Sequence, residues 1–206
     1  MMRRRVVLIR AKGERRLFCY QCEETAKGKG CTVQGVCGKD ADVAALQDLL
    51  VHVCKEIAYY AEASGWEDRD VDRFLTRALF PTLTNVNFNP ERFKKLLGEA
   101  EEIRGTVKGD RETVEPSLPR LADDLTGLIR QGEQAGIQER LARLGDEVTG
   151  LQELVMYGLK GIAAYAYHAA RLGKESDEVY GFLRRGLAFL SKEPSSFDEL
   201  LGMAME

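Results

Sequence analysis

Four cysteines crowd into nineteen residues: Cys19, Cys22, Cys31 and Cys37, with the spacing C-x2-C-x8-C-x5-C. Two thiolates separated by two residues can turn toward one centre, and four suit either Zn²⁺ or an iron–sulfur cluster. A structural zinc site more often pairs two short knuckles with two to four residues inside each. Here the last gap is five residues and a second C-x2-C is missing, so the spacing favours iron–sulfur and leaves zinc as the alternative. Unliganded core thiols are the third reading, but a Gly-rich loop offers them little helix or strand to pack on. Gly28 and Gly30 lie between the cysteine pairs, and Gly35 and Gly38 flank Cys37. Glycine permits tight wrapping and a close approach of backbone N–H groups to a negatively charged centre. Lys27, Lys29 and Lys39 could offset cluster charge or guide an acidic donor, although solvated loop lysines are the simpler expectation.

The other reactive side chains have plainer expectations. Cys54 sits on an apolar helical stripe and reads as core. His52 falls on the polar face of the same helix and reads as a surface side chain. His168 sits near a helix end, where packing or capping is favoured over metal ligation. Tyr157, Tyr165 and Tyr167 could form an electron relay, but at helical spacing in an apolar segment they read as core or interface residues. Trp66 follows Gly65 and reads as a bundle cap. No residue is identified as catalytic.

After residue 39 the chain reads as helix after helix. Asp40 is a candidate N-cap. Val43, Leu46, Leu50, Val53, Cys54, Ile57 and Ala61 follow at helical spacing, with Asp48, His52, Lys55, Tyr59 and Glu62 opposite. Ser64-Gly65 supplies the stop. A second helix is predicted over 68–80, ended by Pro81. Asn89-Pro90 starts a third, with Phe93, Leu96, Leu97, Ala100 and Ile103 as its buried stripe. Residues 105–116 are polar, lack helical period and are bounded by Gly105 and Pro116, so they read as a linker. Further helices are predicted over 119–131, 137–144, 147–172 and 176–192. Ser196 and Glu199 form a capping box for a last one, which stops at Glu206 as a sequence cut inside a larger protein would. The organisation expected is therefore a leader (1–16), a cysteine loop (17–39), a first bundle (40–104), a linker and a second bundle (117–206) that reads as truncated. No strand run and no internal repeat is evident.

The chain has 206 residues, 44% of them hydrophobic and 31% charged, with a formal charge of −3. Residues 1–16 carry seven basic side chains and one acid, leaving 23 basic and 32 acidic residues in the rest. A body this acidic argues against a nucleic-acid surface. No run approaches the roughly 20 apolar residues that span a membrane. The apolar stretch of the leader, Val6–Ile9, falls short of the roughly 7–15 residues of a secretory signal. Five cysteines, an odd number with four crowded at one end and the fifth apart, point to a metal site in a reducing cytoplasm and away from a disulfide framework.

Phe18-Cys-Tyr-Gln-Cys-Glu-Glu-Thr-Ala-Lys27 and Gly30-Cys-Thr-Val-Gln-Gly-Val-Cys-Gly-Lys39 resemble the amino terminus of the hybrid cluster protein family, the prismane proteins or hydroxylamine reductases. Leu83-Thr-Asn-Val-Asn-Phe88 and Tyr157-Gly-Leu-Lys-Gly-Ile-Ala-Ala-Tyr165 resemble the same family, so the similarity runs from about residue 17 to 190. Family members usually begin Met-Phe-Cys, and Leu17-Phe18-Cys19 stands at that place, which suggests that 1–16 is a misassigned start. The resemblance implies that Cys19, Cys22, Cys31 and Cys37 ligate a proximal [4Fe–4S] cluster; a branch with wider gaps carries [2Fe–2S]. It implies a mainly α fold of two helical bundles set at a large angle. It also implies an electron path from this cluster to a hybrid Fe–S–O cluster that reduces hydroxylamine, with a redox protein as donor. The His, Glu and Cys ligands of the hybrid cluster cannot be placed here, so the remaining reductase domains are an expected partner. A zinc-stapled interaction module and a stand-alone electron carrier remain the alternatives.

Overall fold

The computed structural model describes residues 17–22, 29–66 and 68–206. The leader 1–16 and residues 23–28, with Lys27 and Gly28, lie outside the described residues. The chain is mainly α. Among the described residues seven α-helices follow the cysteine segment: α1 (Ala41–Ser64), α2 (Arg69–Leu79), α3 (Pro90–Lys108), α4 (Leu125–Ala135), α5 (Gln138–Arg171), α6 (Asp177–Ser191) and α7 (Phe197–Met205). Among the described residues the only β pairing is an isolated antiparallel bridge between Cys19 and Cys31. No described helix is long and apolar enough to cross a membrane.

The helix starts follow the capping residues. Side chains of Asp40, Asp68, Asn89, Asp124, Ser176 and Ser196 each accept an N–H of the first turn, so each satisfies a donor that the helix cannot. Gly65 ends α1 in the left-handed conformation. Gly145, with φ 81 and ψ 172, breaks α5 at the point where two predicted helices, 137–144 and 147–172, adjoin. Two boundaries differ from expectation. The helix predicted over 119–131 runs from 125 to 135, because Asp124 and not the Ser117–Pro119 segment supplies its cap. α3 runs to Lys108, four residues into the predicted linker, because Val107 is buried and extends its apolar stripe.

α1 is the axis of the molecule. It packs against α3, α4 and α6, so helices on both sides of 105–116 share one hydrophobic core. That core includes Leu46, Leu50, Ile57, Phe74, Phe93, Leu159 and Leu183. Cys54 lies within it, fully enclosed, and burial pushes its thiol up to about 12. The α1–α4 crossing is close: a Cβ on Gly132 would stand 2.1 Å from the carbonyl oxygen of Ala45. Trp66 packs against the core edge.

Because α1 is surrounded, its polar face is not a surface. Lys55 and Glu56 are buried, and the side chain of His52 is largely enclosed. The expectation of a surface His52 is therefore corrected: its Nε2 lies 3.1 Å from Glu56 Oε1, and burial lowers its pKa. Glu56 also accepts Arg104 Nη1 at 2.7 Å and the Leu118 N–H at 3.2 Å. Arg104 in turn donates to the Leu118 and Pro119 carbonyls. One carboxylate thus ties α1, α3 and the connecting segment together.

Gly132→Ala should lower stability by ~1–3 kcal/mol through overpacking against α1, read as an earlier urea midpoint. Burial opposes ionisation of Glu56, but the contacts from His52 and Arg104 outweigh it and hold its pKa at about 2, below the usual 4.5. A depressed carboxylate stabilises the fold fully above its unfolded pKa, and that stability is lost as pH falls through about 2. Thermal unfolding should therefore steepen in its pH dependence below about 4.5, and Glu56→Gln should flatten that limb.

Candidate metal centre

The cysteine segment has almost no secondary structure of its own. Cys19 and Cys31 hold it together by exchanging both backbone hydrogen bonds, Cys19 N–H to Cys31 O at 3.0 Å and Cys31 N–H to Cys19 O at 2.8 Å. Leu17, Cys19, Cys31 and Ala44 form a small apolar cluster, with Ala41 against it. The sequence places Ala41, Ala44, Ala45 and Asp48 on one face of α1, and the short alanines let the segment lie close to the helix. Gly30 has φ +107, and a Cβ there would stand 3.2 Å from the Cys19 carbonyl oxygen. Downstream, Gly35 N–H donates to Lys39 O at 2.9 Å and Gly38 N–H to Gly35 O at 2.8 Å. A Cβ on Gly35 would lie 3.1 Å from Cys37 Sγ, so a glycine there lets the backbone fold tightly around that sulfur.

Cys19, Cys22, Cys31 and Cys37 line a single cavity, together with Gln21, Gly35, Val36, Lys39 and Thr84. The space inside it is about 10 Å³. All four cysteines are free. Cys19 and Cys31 are buried and Cys22 and Cys37 partly so. Burial pushes the Cys19 thiol up to about 11, against the opposing pull of Lys39. Among the described residues no three His, Cys, Asp or Glu side chains converge as a single-ion site.

Residues that spacing did not single out fix this geometry. Gln21, between the first two cysteines, donates from Nε2 to the Ala44 carbonyl at 2.9 Å and to Asp48 Oδ1 at 2.5 Å. Its Oε1 accepts Lys39 Nζ at 2.6 Å. Lys39 is therefore not a solvated loop lysine, as expected, but 3% exposed, because Gln21 and the cavity wall enclose it. Lys29 is exposed. Tyr157 of α5 donates its hydroxyl to the Tyr20 carbonyl at 2.6 Å, and burial raises its pKa. The signal was present in the sequence: Glu153, Tyr157 and Lys160 share one face of α5, and Asp48 follows the alanine face of α1.

The three tyrosines do not form a set. Tyr157 meets the cysteine segment, Tyr167 stacks on Phe80 with ring centroids 5.0 Å apart, and Tyr165 is 83% exposed. Tyr165 is thus not core in the described residues, because it lies on the outer face of α5. His168 is exposed and packs edge-on against Phe80 at 4.9 Å.

The three stretches of family resemblance come together at this place. Thr84 of the 83–88 stretch lines the cysteine cavity, and Gln47 of α1 holds that stretch by donating to the Pro81 and Asn87 carbonyls at 3.4 and 3.2 Å. Tyr157 opens the third stretch and reaches the first. Residues 17–206 match the Prismane/CO dehydrogenase family. The chain belongs to that family. Similar relatives include proteins named hydroxylamine reductase from Halothermothrix orenii (44% identical, covering 92% of this chain and 37% of the relative) and Burkholderia lata (44%, 92% and 38%). Another, from Methanocella arvoryzae, is 39% identical over 92% of this chain and 37% of its own length. The chain thus spans a little over one third of the length of these family members.

Tyr157→Phe removes the hydroxyl that clamps Tyr20. It should cost ~1 kcal/mol of stability and speed alkylation of Cys22, measured by mass spectrometry against wild type.

Proposed function

We propose that this chain is the electron-entry region of a hydroxylamine reductase, with a [4Fe–4S] cluster held by Cys19, Cys22, Cys31 and Cys37. The observation that carries the reading is the shared cavity of the four cysteines. Its donor set fits the group. Four thiolates around one cavity suit a cluster in which each meets its own iron. When bound, such a cluster takes up and releases one electron at a time.

The residues of the chain do the rest. Cys19 and Cys31 carry their sulfurs on one hydrogen-bonded pair of backbones, so two ligands are placed together. Gly35 lets the backbone wrap Cys37. Leu17, Phe18 and Ala44 shield the inner side from water, which with nearby backbone dipoles sets a potential. Lys39 places positive charge at the cavity wall and would offset the negative charge of a thiolate-bound centre. Val33 and Val36 stand exposed next to Cys37, on the side from which a redox donor protein would approach. The reaction of the relatives' name, hydroxylamine plus two electrons and two protons giving ammonia and water, needs a second centre. We assign that centre to the remaining domains of the longer family members, and we place the protein in a reducing cytoplasm, where free thiols persist.

Anaerobically purified protein should be brown, contain about four iron and four sulfide per chain, and bleach with dithionite. Cys31→Ser should lose most of that iron. A colourless protein with one zinc per chain, or an iron content untouched by Cys31→Ser, would refute the assignment.

A further inference from the structure

Behind the cysteine cavity lies a second one, inside the bundle. It is lined by Asp48, His52 and Lys55 of α1 and by Arg140, Glu153 and Lys160 of α5, among others. Lys55, Glu153 and Lys160 are all buried, Lys160 to 3% exposure. Gln21 lines both cavities and is the wall between them. Across that wall runs a continuous chain of hydrogen bonds, from Lys39 Nζ to Gln21 Oε1 and from Gln21 Nε2 to Asp48 Oδ1. Asp48 also borders a third pocket, with Glu133, Gly136 and Gln138, which gives it a separate approach from outside the cysteine site.

We propose that Asp48 takes up a proton when an electron is added at the cysteine site, so that reduction and protonation are coupled across the Gln21 wall. The inference rests on the electron-transfer reading above. The step balances: a low-potential one-electron donor supplies the electron, a hydronium ion of the solvent gives up a proton through the pocket beside Glu133 and leaves as water, and an O–H bond forms on the Asp48 carboxylate. Net charge in the site is unchanged, and oxidation reverses both transfers.

The sign follows from electrostatics. Added negative charge next to Lys39 cancels part of the positive charge that Lys39 offers to Gln21 and Asp48, and like charges disfavour a second carboxylate anion. Asp48 is already close to titrating. Burial pushes it up to about 6, against the opposing effects of Gln21, Lys160 and Lys39, while Glu153 adds to the rise. Among the described residues, the charged and titratable groups facing it are Cys19 and Lys39 from the cysteine segment, His52 and Lys55 from α1, Glu133 from α4, and Arg140, Glu153 and Lys160 from α5. Burial lowers the pKa values of His52 and Lys160 below their usual values and that of Lys55 to about 8. Asp48 is joined by hydrogen bonds to the cysteine cavity through Gln21.

The test is a redox titration of the anaerobically purified protein from pH 5 to 8, followed in the visible spectrum. The midpoint potential should fall as pH rises through the Asp48 window, and Asp48→Asn, with wild-type iron content, should abolish most of that fall. A reduced-minus-oxidised infrared difference spectrum gives a readout in the wild-type protein itself: a protonated carboxyl band should grow on reduction and move on ¹³C-aspartate labelling. Bound iron with a pH-independent potential, an iron-loaded Asp48→Asn protein with the wild-type slope, or a spectrum without the aspartate band overturns this inference alone. Protein that binds no iron overturns the electron-transfer reading and this inference with it.

Discussion

The structure depends on a short cysteine segment borrowing its rigidity from α1. A loop of this kind loses much conformational entropy on ordering and has one pair of reciprocal backbone bonds, Cys19 with Cys31, to offset it. Short turns around Gly35 and the Lys39–Gln21 bond add to it, and the rest of what holds it comes from outside. Alanines on α1 receive its apolar side, Gln21 anchors to the Ala44 carbonyl, and Tyr157 of α5 pins the Tyr20 carbonyl. The geometry around the four sulfurs is therefore a property of the helical body as much as of the cysteines.

That body is organised to let α1 serve two environments. One side of the helix, which carries Cys54, packs against leucines and phenylalanines in the main core. The other carries Asp48, His52, Lys55 and Glu56 into the protein, where they meet charges from α3 and α5. Buried charges are costly unless paired or hydrogen-bonded, and the network around Glu56 and Arg104 meets that condition with ion pairs and backbone carbonyls. Around Asp48 the compensation is looser, and this is the region that adjoins the cysteine cavity.

The family relationship and the geometry converge on the same residues. Thr84 and Tyr157 lie far from the cysteines in the chain and belong to the other stretches that resemble the family, yet both reach the cysteine segment. The chain spans little more than a third of its relatives, and its own chemistry-bearing residues are thiols, a buried lysine and a carboxylate. These can hold and tune a redox centre.

The sequence by itself determined the mainly α architecture, most helix starts and the four cysteines as one unit. Those features are local: a capping side chain acts within three residues, an apolar stripe repeats every turn, and a C-x2-C pair needs no distant partner. It was also enough to place Cys54 in the core. Only the tertiary structure decided that His52, Lys55 and Lys39 are enclosed. A polar stripe on a helix reads as solvent-facing unless other elements cover it, and α5, α6 and the 105–119 region come from far along the chain. For the same reason Gln21 looked like a spacer between cysteines. Its two-sided role exists only because folding brings Lys39 to one end of its amide and Asp48 to the other.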